Sequence, residues 1–578
     1  MIYDFVIQNT TYVNLFTRET YRAHIAITGD RVAHVTQPGE PAPEGRKLYD
    51  AMGKYALPGL IDTHVHIESS LAEPRQFAAA VVPHGTTTVL ADPHEIANVM
   101  GLEGVRYMLE STKGLPLRVL VLAPSCVPSV PGLETSRAEF DSFAISRMLA
   151  EERVAGLGEV MDYCGVVNGA KRMAQILDVS RKSGKLIQGH APGLSGEALS
   201  RYLACGVESD HETHTAREAV EKLRAGMVLE CRYASNCHDL NQLAEVIRRF
   251  DYPENVTFCT DDTEPRDLLE KGHLDEMVRV AVTLGMDPIE TIKIATVNAA
   301  RFARLHDRGS LRPGNLADIL LVENLEDFHV DEVFSGGVLV SRGGKLLPGA
   351  ILEGGAVEHK NTVILTRPPM REDFLIAEEG ERVLLHTICY DEENKFVTKM
   401  EACAFDVAGG YARINALPGF ATFAVFERHG VNGNRSVAPV RGLGIQKGAV
   451  ATTVSHDSHN LFVVGKDAED MRLAAQTLAD CGGGVACVEN GEVVCLLELP
   501  IAGLMSPCGL ERLAELTERL RGTLAAFGIP GESPYMTLAS FALTVIPEVR
   551  LTDRGLVDTI NQKPILLRVK TEDDHGKD

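Results

Sequence analysis

The sequence predicts an α/β chain built around a (β/α)8, TIM-like barrel. Between Leu57 and about Val297, short apolar runs alternate with helical ones, and eight apolar runs can be counted. Several of these runs end directly on a histidine, aspartate or glutamate. Strands joined by helical connections predict a parallel sheet, and eight of them predict a closed barrel with its chemistry at the strand ends. A doubly wound open sheet shares the alternation. No GxGxxG follows the first run, which weighs against that option.

Taken in order, residues 1–56 read as short strands, "YDFVIQNTTYV", "YRAHIAITGDRVAHV" and "KLYDAMGKYALPG", with turn residues between them. His24 and His34 are ordinary residues of those strands. The eight barrel runs are "GLIDTHVHI", "TTTVLADPHE", "LRVLVLAPSCVP", "VAGLGEVMD", "GKLIQGHAPG", "CGVESDHE", "AGMVLECRYAS" and "NVTFCTDD". Between the sixth and seventh, Thr215 and Glu218 form a capping box and Gly226 is placed to end the helix. "ATVNAARFARLHDRGSLRPGNLADILLVEN" gives a helix, a Gly/Pro turn and a strand, and β pattern resumes to about Leu347. The expected domains are therefore a small β-sandwich-like unit from 1–56 plus 306–350, the barrel over 57–305, and a C-terminal α+β, β-rich domain over 360–570. Helices are expected there at roughly 467–480 and 508–527. The tail "KTEDDHGKD" reads as disordered.

Composition narrows the partners. The chain has 578 residues and a net charge of −23, and phosphate-backbone binding needs clustered Lys and Arg, so nucleic acid is not expected. A neutral or cationic small substrate fits better. No run is long enough to span a bilayer, and "MIYDFVIQNT" is no signal peptide. The twelve cysteines are scattered without a CxxC pair, which points to a reduced, cytoplasmic protein.

The first barrel run carries His64 and His66. Residues two apart on a strand share a face, so two imidazoles can reach one metal ion, or simply end a polar strand. Glu159 ends the fourth run, His190 the fifth, His211 the sixth and Asp261 the eighth. Four histidines and two carboxylates at strand ends, with no thiolate, predict a divalent metal site. "DPHE" at the end of the second run adds Asp92, His94 and Glu95, polar groups able to meet a ring nitrogen, although Asp92 can equally cap the strand end.

The HxH, single-His, single-His and Asp pattern on strands one, five, six and eight resembles the amidohydrolase superfamily. Within it, "GLIDTHVHIESS", "ADPHEIANVMG", "GHAPGLSG", "SDHE", "CTDD" with a later "GHLD", and "TTVSHDSHN" are similar to the adenine deaminase family over nearly the whole chain. The resemblance implies hydrolysis of adenine to hypoxanthine and ammonia by a site holding two divalent ions, manganese or iron before zinc. It makes His64, His66, Glu159, His190, His211 and Asp261 the ligands. Glu159 stands where many members have a carboxylated lysine, and is either a bridge or a neighbour of a single ion. Asp261 would move the water proton, Glu95 would protonate the ring, and His211 would hold the second ion or polarise the ring. Asp92, His94, Glu95 and His273 are candidates to bind the base, His273 equally a helix-surface residue. His456 and His459 line the entrance, meet a second subunit, or form a buried turn. A homodimer or larger assembly is implied. Amino-sugar deacetylation or cyclic-amide hydrolysis, and a scaffold without chemistry, are the competing readings.

Overall fold

The computed structural model describes residues 2–351, 360–391, 397–531, 533–546 and 548–569; the tail expected to be disordered lies outside them. Each of the eight apolar runs carries a strand. Numbering only these parallel strands, they are β1 (Leu60–Val65), β2 (Thr86–Ala91), β3 (Arg118–Ala123), β4 (Val154–Val160), β5 (Leu186–Gly189), β6 (Ser209–Asp210), β7 (Val228–Arg232) and β8 (Val256–Cys259). β1 to β5 form one parallel sheet in chain order, and β6 to β8 a second. The sheets meet where Glu208 N–H donates to Ile187 O at 3.0 Å. At the far edge, Thr63 Oγ1 donates to Phe258 O at 3.1 Å and Asp261 N–H donates to His64 O at 3.0 Å, so the end of β8 lies beside β1.

The strands read as continuous apolar runs because helices and side chains cover both faces; every residue of β1, β2, β5 and β8 is buried. The connecting helices follow their sequence signals. Ala216–Arg224 begins at Thr215, whose hydroxyl accepts the Glu218 N–H at 3.2 Å, and Gly226 takes a left-handed φ of 82° just beyond its end. The helix Leu240–Arg249 turns Leu243, Ala244 and Ile247 inward, the spacing of an amphipathic face.

The two flanks share one sheet. Ile319–Val322 pairs antiparallel with Tyr55–Pro58, which pairs parallel with Tyr3–Asn14, in a nine-stranded sheet. Beyond it, a second nine-stranded sheet carries the helices Ala468–Cys481 and Leu510–Phe527. Its residues Phe423 and Phe462, with Phe541, belong to the same contiguous apolar core as residues of β1 to β5, β7 and β8. Polar contacts tie the parts together as well: Asn460 Nδ2 donates to Thr135 O at 3.0 Å, and Ser506 N–H to Leu71 O at 2.8 Å. Among the described residues, no helix is long and apolar enough to cross a membrane.

Candidate active site

His64 lies in β1 and His66 follows it; their Nε2 atoms are 3.2 Å apart. Glu159 in β4 reaches both, with Oε1 at 3.3 Å from His66 Nε2 and 3.8 Å from His64 Nε2. Its second oxygen is 2.7 Å from His190 Nδ1 and 3.4 Å from His211 Nε2, residues that follow β5 and β6. Asp261, just after β8, places Oδ1 at 3.1 Å from His66 Nε2 and 3.6 Å from His64 Nε2. All six expected ligands therefore meet at one end of the parallel strands, and Glu159 turns one oxygen to each of two imidazole pairs.

Hydrogen bonds decide which nitrogens are available. Gln188 Nε2 donates to Thr63 O at 2.6 Å, which turns Gln188 Oε1 toward His64 Nδ1 at 2.7 Å. His66 Nδ1 donates to Asp92 O at 3.0 Å. With both Nδ1 atoms acting as donors, both Nε2 atoms would present lone pairs to each other once the rings are neutral. Two lone pairs at that distance repel unless a cation lies between them, and outer hydrogen bonds of this kind are how histidines are oriented toward metals. The donor set fits a divalent ion.

The electrostatics differ between the His64 and His66 rings: burial opposes charge on His66, yet Asp261 and Glu159 hold it well above the usual imidazole range. Burial, with the neighbouring His211 and His66, pushes His64 down to about 3, leaving a neutral ring. Burial opposes ionisation of Glu159, yet His190, His211, His66 and His94 together hold it well below the usual carboxylate range. Burial likewise works against Asp261, and His66 and Arg232 overcome it.

Residues 55–340 match the amidohydrolase family, and residues 395–563 match the adenine deaminase C-terminal domain. The chain is 42% identical to adenine deaminase 2 of Carboxydothermus hydrogenoformans, over 98% of this chain and 97% of that one. Adenine deaminases of Desulfatibacillum aliphaticivorans and Methanothrix thermoacetophila are 39% and 40% identical, each over 96% of this chain and 95% of theirs. The chain belongs to the adenine deaminase family.

Within this member of the adenine deaminase family, the "DPHE" residues divide their work. Asp92 is fully buried: its Oδ2 accepts the Glu159 N–H at 2.8 Å and so props β4, while its Oδ1 has no hydrogen-bond partner among the described residues. Gly158 makes room for it, since a Cβ there would stand 2.1 Å from Asp92 Oδ2. His94 brings Nε2 to 3.3 Å from Glu159 Oε1, which gives the cluster a fifth imidazole that the spacing of strand ends did not suggest. Glu95 takes a bond from Ser69 Oγ at 3.4 Å, and burial raises its carboxyl.

His273 is neither on a helix surface nor among the ligands. It is 2% exposed, with Thr86 Oγ1 at 2.8 Å from Nδ1, and Thr260 Oγ1 at 3.1 Å and Asp62 Oδ2 at 3.3 Å from Nε2. Burial pushes it down to about 3, so it buttresses the β1–β8 seam as a neutral ring. His456 and His459 sit in a buried turn that also faces the site, with His456 Nδ1 at 3.3 Å from Glu95 Oε1.

Two participants, Gln188 and Arg232, carry no mark in the motif pattern, and a third, Asp457, lies unremarked inside "TTVSHDSHN". Gln188 could have been found, because it precedes His190 by two on β5 and alternation sends it inward. Arg232, at the end of β7, donates to Asp261 Oδ2 at 2.9 Å and to Asp239 Oδ2 at 3.1 Å, and also pairs with Glu212. Asp457, 4.0 Å from both His94 Nδ1 and His456 Nδ1, comes from a region remote in sequence.

Proposed function

We propose that the chain is a two-metal adenine aminohydrolase that converts adenine and water to hypoxanthine and ammonia. The observation that carries the reading is Glu159, a buried carboxylate with one oxygen toward His64 and His66 and the other toward His190 and His211. In this reading His64, His66 and Asp261 would hold one ion and His190 and His211 the other, with Glu159 shared between them. β1 to β8 then form one (β/α)8 barrel whose mouth is the site, with the small β-domain (1–56 plus 306–350) on one side and the 360–570 domain on the other. A cytoplasmic homo-oligomer completes the reading and rests on the resemblance alone.

Divalent ions bound there, manganese or iron before zinc, supply the charge that lowers the pKa of a water toward neutrality. Asp261 accepts a proton from that water as its oxygen bonds to C6 of adenine. Glu95, whose carboxyl burial raises, gives its proton to N1, which takes up the electron pair displaced from the C6–N1 double bond and leaves Glu95 a carboxylate. Asp261 then passes its proton to the departing amine, the C6–N bond breaks, and the proton left on the C6 oxygen restores Glu95. His94 stands beside Glu159 to orient the base or to complete the ligand set.

Metal analysis paired with ammonia release from adenine tests this directly. Protein loaded with manganese or iron is expected to hold about two ions per chain and to turn over adenine, with little action on AMP, N-acetyl amino sugars or hydantoins. A fully active preparation holding one ion would remove the bridging role of Glu159. Turnover of a hydantoin in place of adenine would overturn the substrate.

A further inference from the structure

We propose that His459 is a specificity-determining residue, whose Nε2–H donates a hydrogen bond to a ring nitrogen of the substrate purine. The proposal rests on the adenine reading above and gives the C-terminal domain a direct contact with the base. His459 Nδ1 accepts the Ser455 N–H at 3.1 Å, so in the neutral ring the proton is on Nε2. Burial, with His456 and Arg428 alongside, keeps that ring neutral. Its exposure is 0%, and Nε2 has no hydrogen-bond partner among the described residues. A buried donor of this kind is costly unless something arrives to accept from it.

The direction of that donor is equally specific. Nε2 lies 3.9 Å from Glu95 Oε2, too far for a hydrogen bond. Glu95 in turn groups with His66 and His94 at the edge of the ligand cluster. The unpaired N–H therefore lies beside the proposed N1 donor. The turn is also stiff: His459 N–H donates to Ser455 O at 2.7 Å, its carbonyl accepts from buried Arg428, and His429 Nε2 donates to Ser458 O at 2.8 Å.

Glu95, His456 and His459 could be read as a third cation site, since ligand atoms of all three lie within 4.8 Å of one another. That use requires a lone pair on His459 Nε2, and the Ser455 bond puts the proton there instead. With N1 assigned to Glu95, N3 or N7 of the purine is left to accept from His459.

Two substitutions separate the nitrogens. His459→Asn keeps an acceptor near the Nδ1 position for Ser455 N–H but has nothing at Nε2. His459→Gln puts an amide N–H near Nε2 and gives up the Nδ1 acceptor. His459→Asn is expected to fold, to keep the wild-type metal content, and to lose about 10- to 100-fold in kcat/KM for adenine; His459→Gln is expected to keep more activity. Competition binding by the wild type should weaken by a similar factor for either 3-deazaadenine or 7-deazaadenine, a readout that needs no variant to fold. Wild-type activity in His459→Asn, equal wild-type binding of both deaza bases, a lower metal content in His459→Asn, or better activity in it than in His459→Gln would each overturn the proposal. Absence of adenine turnover by the wild type would overturn the functional reading instead.

Discussion

Two adjacent aspartates follow β8 and do different work. Asp261 sits against His66 and Arg232, whereas the Asp262 carboxylate accepts the Ser69 hydroxyl. Asp261→Asn keeps the shape and removes the proton acceptor, and is expected to lower kcat by about 10²–10⁴-fold with the fold intact. Asp262→Asn should be milder, and steady-state kinetics on both variants checks the order. The reverse order would mean that the wrong aspartate faces the ions. Strand alternation predicts that the pair diverges, but Asp261 has a left-handed φ of 57°, so a local break in the strand separates them. His64, His66, Glu159, His190 and His211 were legible because each directly ends an apolar run. His94 as a neighbour of Glu159 was not, because its place depends on how the loop after β2 turns.

At the scale of one helix, Lys222 organises two strand ends. It lies on the inward face of Ala216–Arg224, three residues after buried Ala219, with no exposure of its own. Its Nζ donates to Ala191 O at 2.8 Å, Asp210 Oδ2 at 2.8 Å, Thr213 Oγ1 at 3.1 Å and Glu218 Oε1 at 2.6 Å. Ala191 follows His190 and Asp210 precedes His211, so one ammonium sets the approach of two candidate ligands. Lys222→Met strands a buried carboxylate and is expected to cost about 3–5 kcal/mol, read by denaturant unfolding. Adding Asp210→Asn should return part of that loss; a strictly additive double mutant would deny the coupling. The capping box and the stop of this helix were plain in the sequence. The lysine's role was not, since periodicity says which face is inward but not that a charge waits there.

Across the whole molecule, the seam between β1–β8 and the C-terminal region carries its own titration. Glu134 Oε1 accepts from Ser129 Oγ at 2.8 Å and from Thr544 Oγ1 at 3.1 Å, and burial, with Asp457 nearby, pushes its carboxyl up to about 7. The folded chain then keeps a proton that the unfolded chain releases near the ordinary 4.5. The stability this group gives is complete below about pH 4.5 and declines as pH rises to about 7. Glu134→Gln removes the titration, so the gap in melting temperature, wild type minus variant, should narrow between pH 5 and 7. A constant gap would show that Glu134 is ionised in the folded protein. The two flanks were expected to share one β-unit, and Ile319–Val322 pairing with Tyr55–Pro58 joins them in one sheet; what the sequence left open at this scale is that a turn near residue 457 reaches Glu95, because nothing local records that long-range contact.

That turn has a consequence for how the protein is made. The last of the expected metal ligands leaves the ribosome with Asp261, and His459 follows roughly 200 residues later. At about 5–20 residues per second, that is a delay of roughly 10–40 s during which the nascent chain has all of β1 to β8 yet lacks the surface that faces Glu95. With His459 as a contact to the purine, the newborn chain matures its appetite for the base late, and a molecule cut short after β8 would lack both that contact and part of the apolar core it shares with the C-terminal sheet.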